Sequence, residues 1–346
     1  MSDRLKLIIP FLTIIFLLLM PLFLSPFNLV LLTEILLMAL FALSFNLLFG
    51  YGGLLSFGHA AYFATGAYVS AYLIKASVPI ILAIPIAVVA AFLVAIIIGY
   101  FSVRVDKIYF AMLTLAFGMM VYTILFQWRE VTGGSDGITG VLVTELGIPG
   151  LPIKIFGFAN YYYLTLIIVA IATYILWRIT HSPFGEILQA SRENPVRLEF
   201  VGVDIRRLRW MAFALAGGIA GLAGAFWSPF QRVANPEIAH WSFSAIPVLM
   251  TILGGASRFA GPIVGATVFL LLEHWVQSYQ RNIWQWLATL PMFSPQLAQQ
   301  QIDLWNLLLG LLLVVLILGF RGGLLEKVVG KQHIAKVRTQ NSELRS

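Results

Sequence analysis

Side chains that can do chemistry are few in this 346-residue chain, and they gather in four places. Asn46, Ser56 and His59 surround Gly50-Tyr51-Gly52-Gly53, where a long apolar run is interrupted. Thr132-Gly133-Gly134-Ser135-Asp136-Gly137 crowds four turn-forming residue types together. Such backbone can also present several N–H groups to a carboxylate, in the manner of an anion-binding nest. A third stretch, 182–208, is dense in arginine, and the fourth place is an apolar run broken at Gly254 and Gly255. Bond-making chemistry finds little support. Cysteine is absent, which excludes a disulfide framework, a thiolate metal site and a cysteine nucleophile. No HExxH, no paired carboxylates and no nucleophile beside a base occur. The glycine-rich segment lacks the Lys-Ser/Thr pair of a phosphate loop.

The elements that must hold these residues are apolar. The sequence is 60% hydrophobic and 11% charged, against roughly 25% charged in a soluble domain. A helix needs about 20 apolar residues to cross the hydrocarbon core and must satisfy its own backbone there. Runs of this kind lie near 7–24, 29–49, 54–74, 79–101, 109–126, 161–177, 210–230, 243–256, 259–275 and 304–320. The eighth and ninth are short and glycine-broken, which suggests a re-entrant hairpin. The expected fold is therefore all-α: a polytopic transmembrane bundle of 8–10 spans over 1–329, with a polar, disordered tail at 330–346. The first run reads as a retained span because no small-residue cleavage site follows it.

Threading the spans with both termini in the cytoplasm puts 17 of the 22 Lys and Arg residues inside and leaves Lys75, Arg129, Lys154, Arg232 and Arg281 outside. That asymmetry is what the positive-inside rule requires. It places the 127–160 connection outside and the 182–208 connection in the cytoplasm. Small residues four apart, such as Gly217 and Gly221, Ala220 and Gly224, and Gly261 and Gly265, read as close helix packing.

The cytoplasmic connection specifies its own structure. Ser182-Pro183 and Asn194-Pro195 each offer an N-cap followed by a first-turn proline, and Gly202 is placed to end the second helix. Phe184 and Leu188 fall one turn apart, as do Val196 and Phe200. Two surface helices lying on lipid headgroups, or a docking element whose Phe184 or Leu188 enters a partner's groove, both fit this pattern. Glu34, near a span end, reads as structural. The Gly50–Gly53 break is a simple turn or part of a pathway lined by Asn46, Gly52, Ser56 and His59, because broken backbone at membrane depth needs protein or a water-filled cavity.

Four blocks then carry a resemblance: GYGGLLSFGHAAYFATGAY (50–68), LTLAFGMMVYTILFQWREVTGGSDGITG (113–140), SPFGEILQASRENPVRLEFVGVDIRRLRWMAFALAGGIAGLAGAF (182–226) and ILGGASRFAGPIVGA (252–266). In this order they resemble the branched-chain amino acid ABC transporter permease family, in particular its larger permease type. The resemblance implies an importer subunit in a cytoplasmic membrane, without an ATPase site or a cofactor of its own. ATP would be hydrolysed by two cytoplasmic ABC ATPase subunits, beside a second homologous permease and an external substrate-binding protein. It implies a coupling role for Phe184, Leu188, Arg192, Glu193, Asn194 and Gly202. It also suggests a substrate-pathway role for Gly133, Gly134, Asp136, Gly254 and Gly255. The chain departs from the family pattern at Pro195-Val196-Arg197-Leu198, where small residues are commoner.

A urea or short-amide permease is the nearest alternative. An ion-coupled secondary transporter would use buried Asp, Glu or His, for which only Glu34 and His59 offer themselves. Because the chain is cysteine-free, single cysteines within 184–202 are expected to react with an impermeant maleimide from the cytoplasmic side; labelling from the exterior alone would overturn this topology.

Overall fold

The computed structural model of the chain describes residues 16–105, 107–143 and 157–287, together with positions 310, 314 and 323. Much of the first expected run, most of 304–320, part of the 127–160 connection and the 330–346 tail lie outside the described residues. The chain divides into two compact units, Met1–Ala245 and Ile246–Ser346.

In the first unit, Ser25 is extended and Pro26 sits in the first turn of α1 (Pro26–Asn46), where a missing N–H costs nothing. The helix widens into a π-helical turn at Leu47–Tyr51. It is followed by α2 (Ala60–Lys75), α3 (Ile80–Ser102), α4 (Lys107–Gln127), α5 (Phe158–Thr180), α6 (Pro183–Glu193), α7 (Pro195–Phe200) and α8 (Ile205–Gln231). Five of these, α1 with its π turn, α3, α4, α5 and α8, are long and apolar enough to cross a membrane. The expected run 54–74 is shorter than its composition suggested: the helix begins at Ala60, because the chain turns through Gly53 at φ +67° and stays non-helical to His59. At 16 residues α2 spans roughly 24 Å, less than the hydrocarbon core.

Helix α8 packs between α2 and α3. A Cβ on Gly66 would collide with the Gly221 carbonyl oxygen, and one on Gly224 would collide with that of Phe63. The backbones are thus in direct contact. On α3, Ala83, Ala87, Ala91 and Ala95 recur every fourth residue and are fully buried, with Ala91 and Ala95 against Gly221 and Gly217. Leu82, Ile86, Val89, Leu93 and Ile97 on the opposite side are exposed. A helix with one small-residue face and one large apolar face is what packing in lipid requires, since burial against another helix gains no hydrophobic energy there and close approach supplies dispersion instead.

The ends of α4 and α8 are tied by a two-stranded antiparallel ladder, β1 (Ile138–Thr139) with β2 (Val233–Ala234). Beneath it, Ile138, Val141 and Ala234 pack on Tyr68 and Ala71 of α2.

Helix α9 (Trp241–Gly254) begins in the first unit and ends in the second. With 14 residues it reaches only roughly 21 Å, in line with the short eighth run. Helix α10 (Gly261–Leu287) is 27 residues long, but its apolar part covers only Gly261–Val276, in line with the short ninth run; the helix continues past it into a more polar stretch. Within the second unit the turn is very tight. A Cβ on Gly254 would run into the Gly261 oxygen and one on Gly265 into the Met250 oxygen, and Gly255 has φ +104°.

Gly66→Ala and Gly224→Ala are expected to destabilise the protein by about 1–3 kcal/mol, the usual cost of overpacking, read as a lower melting temperature in detergent. Leu93→Ala on the exposed side of α3 should change it by less than about 0.5 kcal/mol.

Candidate functional site: a broken helix beneath the arginine-rich hairpin

The break that ends α1 carries the densest set of buried polar groups. Its backbone bonds run from Gly52 N–H to Leu47, from Gly53 N–H to Phe49 and from Leu54 N–H to Leu48. Six residues before Gly50, the Ser44 hydroxyl lies 2.7 Å from the Phe41 carbonyl and 2.9 Å from His59 Nε2. A hydroxyl has one proton. Given to Phe41, it leaves Ser44 to accept from Nε2–H, so a neutral His59 turns a bare Nδ1 lone pair to its other side. The ring stacks on Phe41 and meets Phe45 and Tyr62 edge-on. The first N–H of α2, at Ala60, donates to the Ser244 hydroxyl at 2.9 Å.

Asn46 and Ser56, on the two sides of the break, are buried with His59. Neither amide atom of Asn46, nor the Ser56 hydroxyl, nor His59 Nδ1 has a hydrogen-bond partner among the described residues. A buried polar group left this way costs about 1–3 kcal/mol, and such groups in folded proteins call for an explanation. Three residues of this kind on one broken segment mark a place kept polar at the expense of stability.

The arginine-rich hairpin sits against the same break. Asn194 caps α7 as expected, accepting from Arg197 N–H at 3.0 Å, and Gly202 ends it at φ +87°. Ser182 stands at the N-cap of α6, but its hydroxyl turns back to the Ile179 carbonyl instead of capping. Asp204 caps α8 by accepting from Arg207 N–H at 3.0 Å; with no proline after it, this cap lacks the Asn-Pro signature seen at Asn194. The expected apolar faces separate. Leu188 is fully buried, and its Cδ1 would lie 3.5 Å from a Cβ on Gly52. It packs inward, so it offers no surface to a partner. Phe184 is half-buried. The apolar groups that point into solvent are Val196, Phe200 and Val201, with Phe200 89% exposed. Arg192 reaches the other way: its Nη1 donates to the Gly50 carbonyl, and its Cγ lies 2.7 Å from where a Gly53 Cβ would be. Glu193, Asn194 and Gly202 remain at the surface.

The glycine-rich segment folds as a knot. Gly133, Gly134 and Gly137 all have left-handed φ, and a Cβ on Gly133 would collide with the Gly137 oxygen. Their N–H groups are used internally: Gly133 donates to Arg129, Gly134 to the Thr132 hydroxyl and Gly137 to Gly134. This corrects the nest reading at those three positions, because the donors a bound carboxylate would need are spent on the turn. Asp136 is exposed and accepts from the Ser135 hydroxyl at 3.2 Å. Gly254 and Gly255 form the tight turn of the second unit, where the backbones touch.

A multi-pass helical membrane protein with an arginine-rich hairpin seated on a broken helix is the class these features define. Residues 28–317 match the family model described as branched-chain amino acid transport system / permease component, and the chain belongs to this family. It is 26% identical over 288 residues to the high-affinity branched-chain amino acid transport system permease protein LivM of Escherichia coli strain K12, covering 74% of this chain and 68% of that one. It is 28% identical over 210 residues to the probable branched-chain amino acid transport permease protein LivM of Methanocaldococcus jannaschii, covering 59% of this chain and 58% of that one. The ribose import permease protein RbsC of Haemophilus influenzae is 25% identical over 224 residues, covering 61% and 64%. No solved structure matches the chain.

Asn46→Leu, close in volume and without a polar group to strand, is expected to keep or raise the melting temperature, by up to about 2 kcal/mol of stability. A fall of several degrees would show that the amide serves the fold.

Proposed function

We propose that this chain is the larger of two homologous permeases in an ATP-binding cassette importer of branched-chain or related small amino acids, set in the cytoplasmic membrane with both termini inside. The observation that carries this reading is the hairpin of α6 and α7: locally capped, rich in arginine, and holding Val196, Phe200 and Val201 out to solvent. Large apolar side chains exposed together mark an interaction surface, and the charge asymmetry of the loops puts this one in the cytoplasm. Two cytoplasmic ATPases, one on each permease, are its proposed partners. The family, and the LivM proteins with their printed names, support amino-acid cargo, while the ribose permease among the relatives leaves the cargo to experiment.

Closure of the ATPases on ATP would push the hairpins together, and the permease pair would rock between inward- and outward-facing states, as alternating access requires. The chain makes and breaks no covalent bond in this scheme. Asn46, Ser56 and His59 lie on backbone that must rearrange if α1 moves at its break, and their open hydrogen-bonding capacity suits a path for a polar cargo. Selection among cargoes would fall largely to the external binding protein.

Vesicles holding this chain, the second permease and the ATPases are expected to accumulate labelled leucine when ATP and the binding protein are supplied. Uptake that follows a proton or sodium gradient without ATP would overturn the assignment. Phe200→Asp should strip the ATPase from the purified complex while leaving the permease folded; an ATPase retained at wild-type stoichiometry would remove the docking role.

A further inference from the structure

Resting on that reading, we propose that Arg192 is an internal strap: it fastens the hairpin to the broken end of α1 and so carries hairpin movement to the polar groups around His59. It is a positioning residue, not a docking one.

Three contacts seat α6 on the break, one from buried Leu188 and two from Arg192, whose side chain is partly exposed to solvent. Arg192 Nη1 donates to the Gly50 carbonyl. The stem of the same side chain lies over Gly53, and Leu188 lies over Gly52. Among the described residues, the backbone bonds of the turn end on Leu47, Leu48 and Phe49, and none ends on Gly50. The guanidinium therefore takes the acceptor that the wide turn exposes. A charged, multi-donor planar group suits this, since a buried carbonyl without a backbone partner must be satisfied from elsewhere in the protein.

Gly50 also stands at a mechanical centre. Four residues earlier is Asn46 and six earlier is Ser44; beyond the turn come Ser56 and His59, which returns to Ser44 at 2.9 Å. A pull on Gly50–Gly53 moves both arms of this loop together. Left-handed Gly53 and the π-helical turn give the segment backbone that can change without breaking a regular helix. The surface that would face a partner is elsewhere, on Val196, Phe200 and Val201, so removing the Arg192 side chain takes away the strap and leaves the dock.

The test uses the complete importer in vesicles, with wild type, Arg192→Ala, Arg192→Lys and, for reporting, the same three carrying Ser56→Cys. Arg192→Ala is expected to retain the ATPase subunits and their ATP hydrolysis but to take up about tenfold less leucine per ATP, within the usual range of coupling between sites. Arg192→Lys, which keeps a charged donor, should recover part of that loss. Reactivity of the thiol introduced by Ser56→Cys toward maleimide should differ between the ATP-free and the vanadate-trapped complex, and Arg192→Ala should abolish that difference. Loss of the ATPase from Arg192→Ala would make the residue a docking contact and overturn the proposal, as would unchanged uptake per ATP, a lysine variant no better than alanine, or a thiol response that persists. A wild-type complex without ATP-driven uptake would instead sink the function proposed above, while the nucleotide response of the introduced thiol still reads the strap.

Discussion

Backbone buried in hydrocarbon has no water to fall back on, so every carbonyl that leaves a helix must find a donor within the protein. In this chain the buried Gly50 carbonyl meets the same demand, where α1 has widened into a π turn and the following N–H groups bond past it. Arg192 answers it from another element. Because the donor is supplied by the hairpin, the helix break and the hairpin are placed together: Leu188 must be buried over Gly52, and Val196 and Phe200 are left on the far side. The same break brings Ser44 and His59 within hydrogen-bonding distance and sets Asn46 and Ser56 beside it in the chain, buried and without partners among the described residues.

Around this point the first unit is held by geometry more than by hydrophobicity. Helix α8 can press its backbone onto α2 because glycines meet there, and α3 offers it a column of alanines. Its two ends are fixed by different means. Asp204 caps it beside the hairpin, and the β1–β2 ladder with the glycine knot ties it at the other end. A helix fixed at both ends and packed along its length is a rigid strut. The irregular backbone next to these helices is the π turn and the non-helical stretch up to His59. Rigid helices around one adaptable joint suit a protein that must change state without melting, since packed elements shift as bodies and hinges absorb the change.

The buried polar groups run against stability. Asn46, Ser56 and His59 Nδ1 would each be less costly as apolar groups of similar shape, yet they flank the turn that interrupts the helix. The glycine knot is the opposite case. Its sequence offers both a turn and a nest, and in the structure the donors at Gly133, Gly134 and Gly137 are used by the turn itself.

By itself the sequence determined the helical membrane class, the positions of most helices within a few residues, the end of α7 at Gly202, the cap at Asn194 and the small-residue contacts of α8, because each depends on local composition, periodicity or capping chemistry. It also drew attention to Asn46, Ser56 and His59 through their place beside a glycine-rich break. What it left open depends on distant partners. Leu188 and Phe200 both belong to apolar pairs one turn apart, and only the seat of α6 on Gly52 and Gly53 makes one of them core and the other surface. Ala60 rather than Leu54 begins α2 because the chain first turns through Gly53. Arg192 was legible as a cation near a membrane surface, but that it bonds a carbonyl 142 residues away was decided by tertiary structure alone, since no local pattern records which acceptor a long side chain will meet.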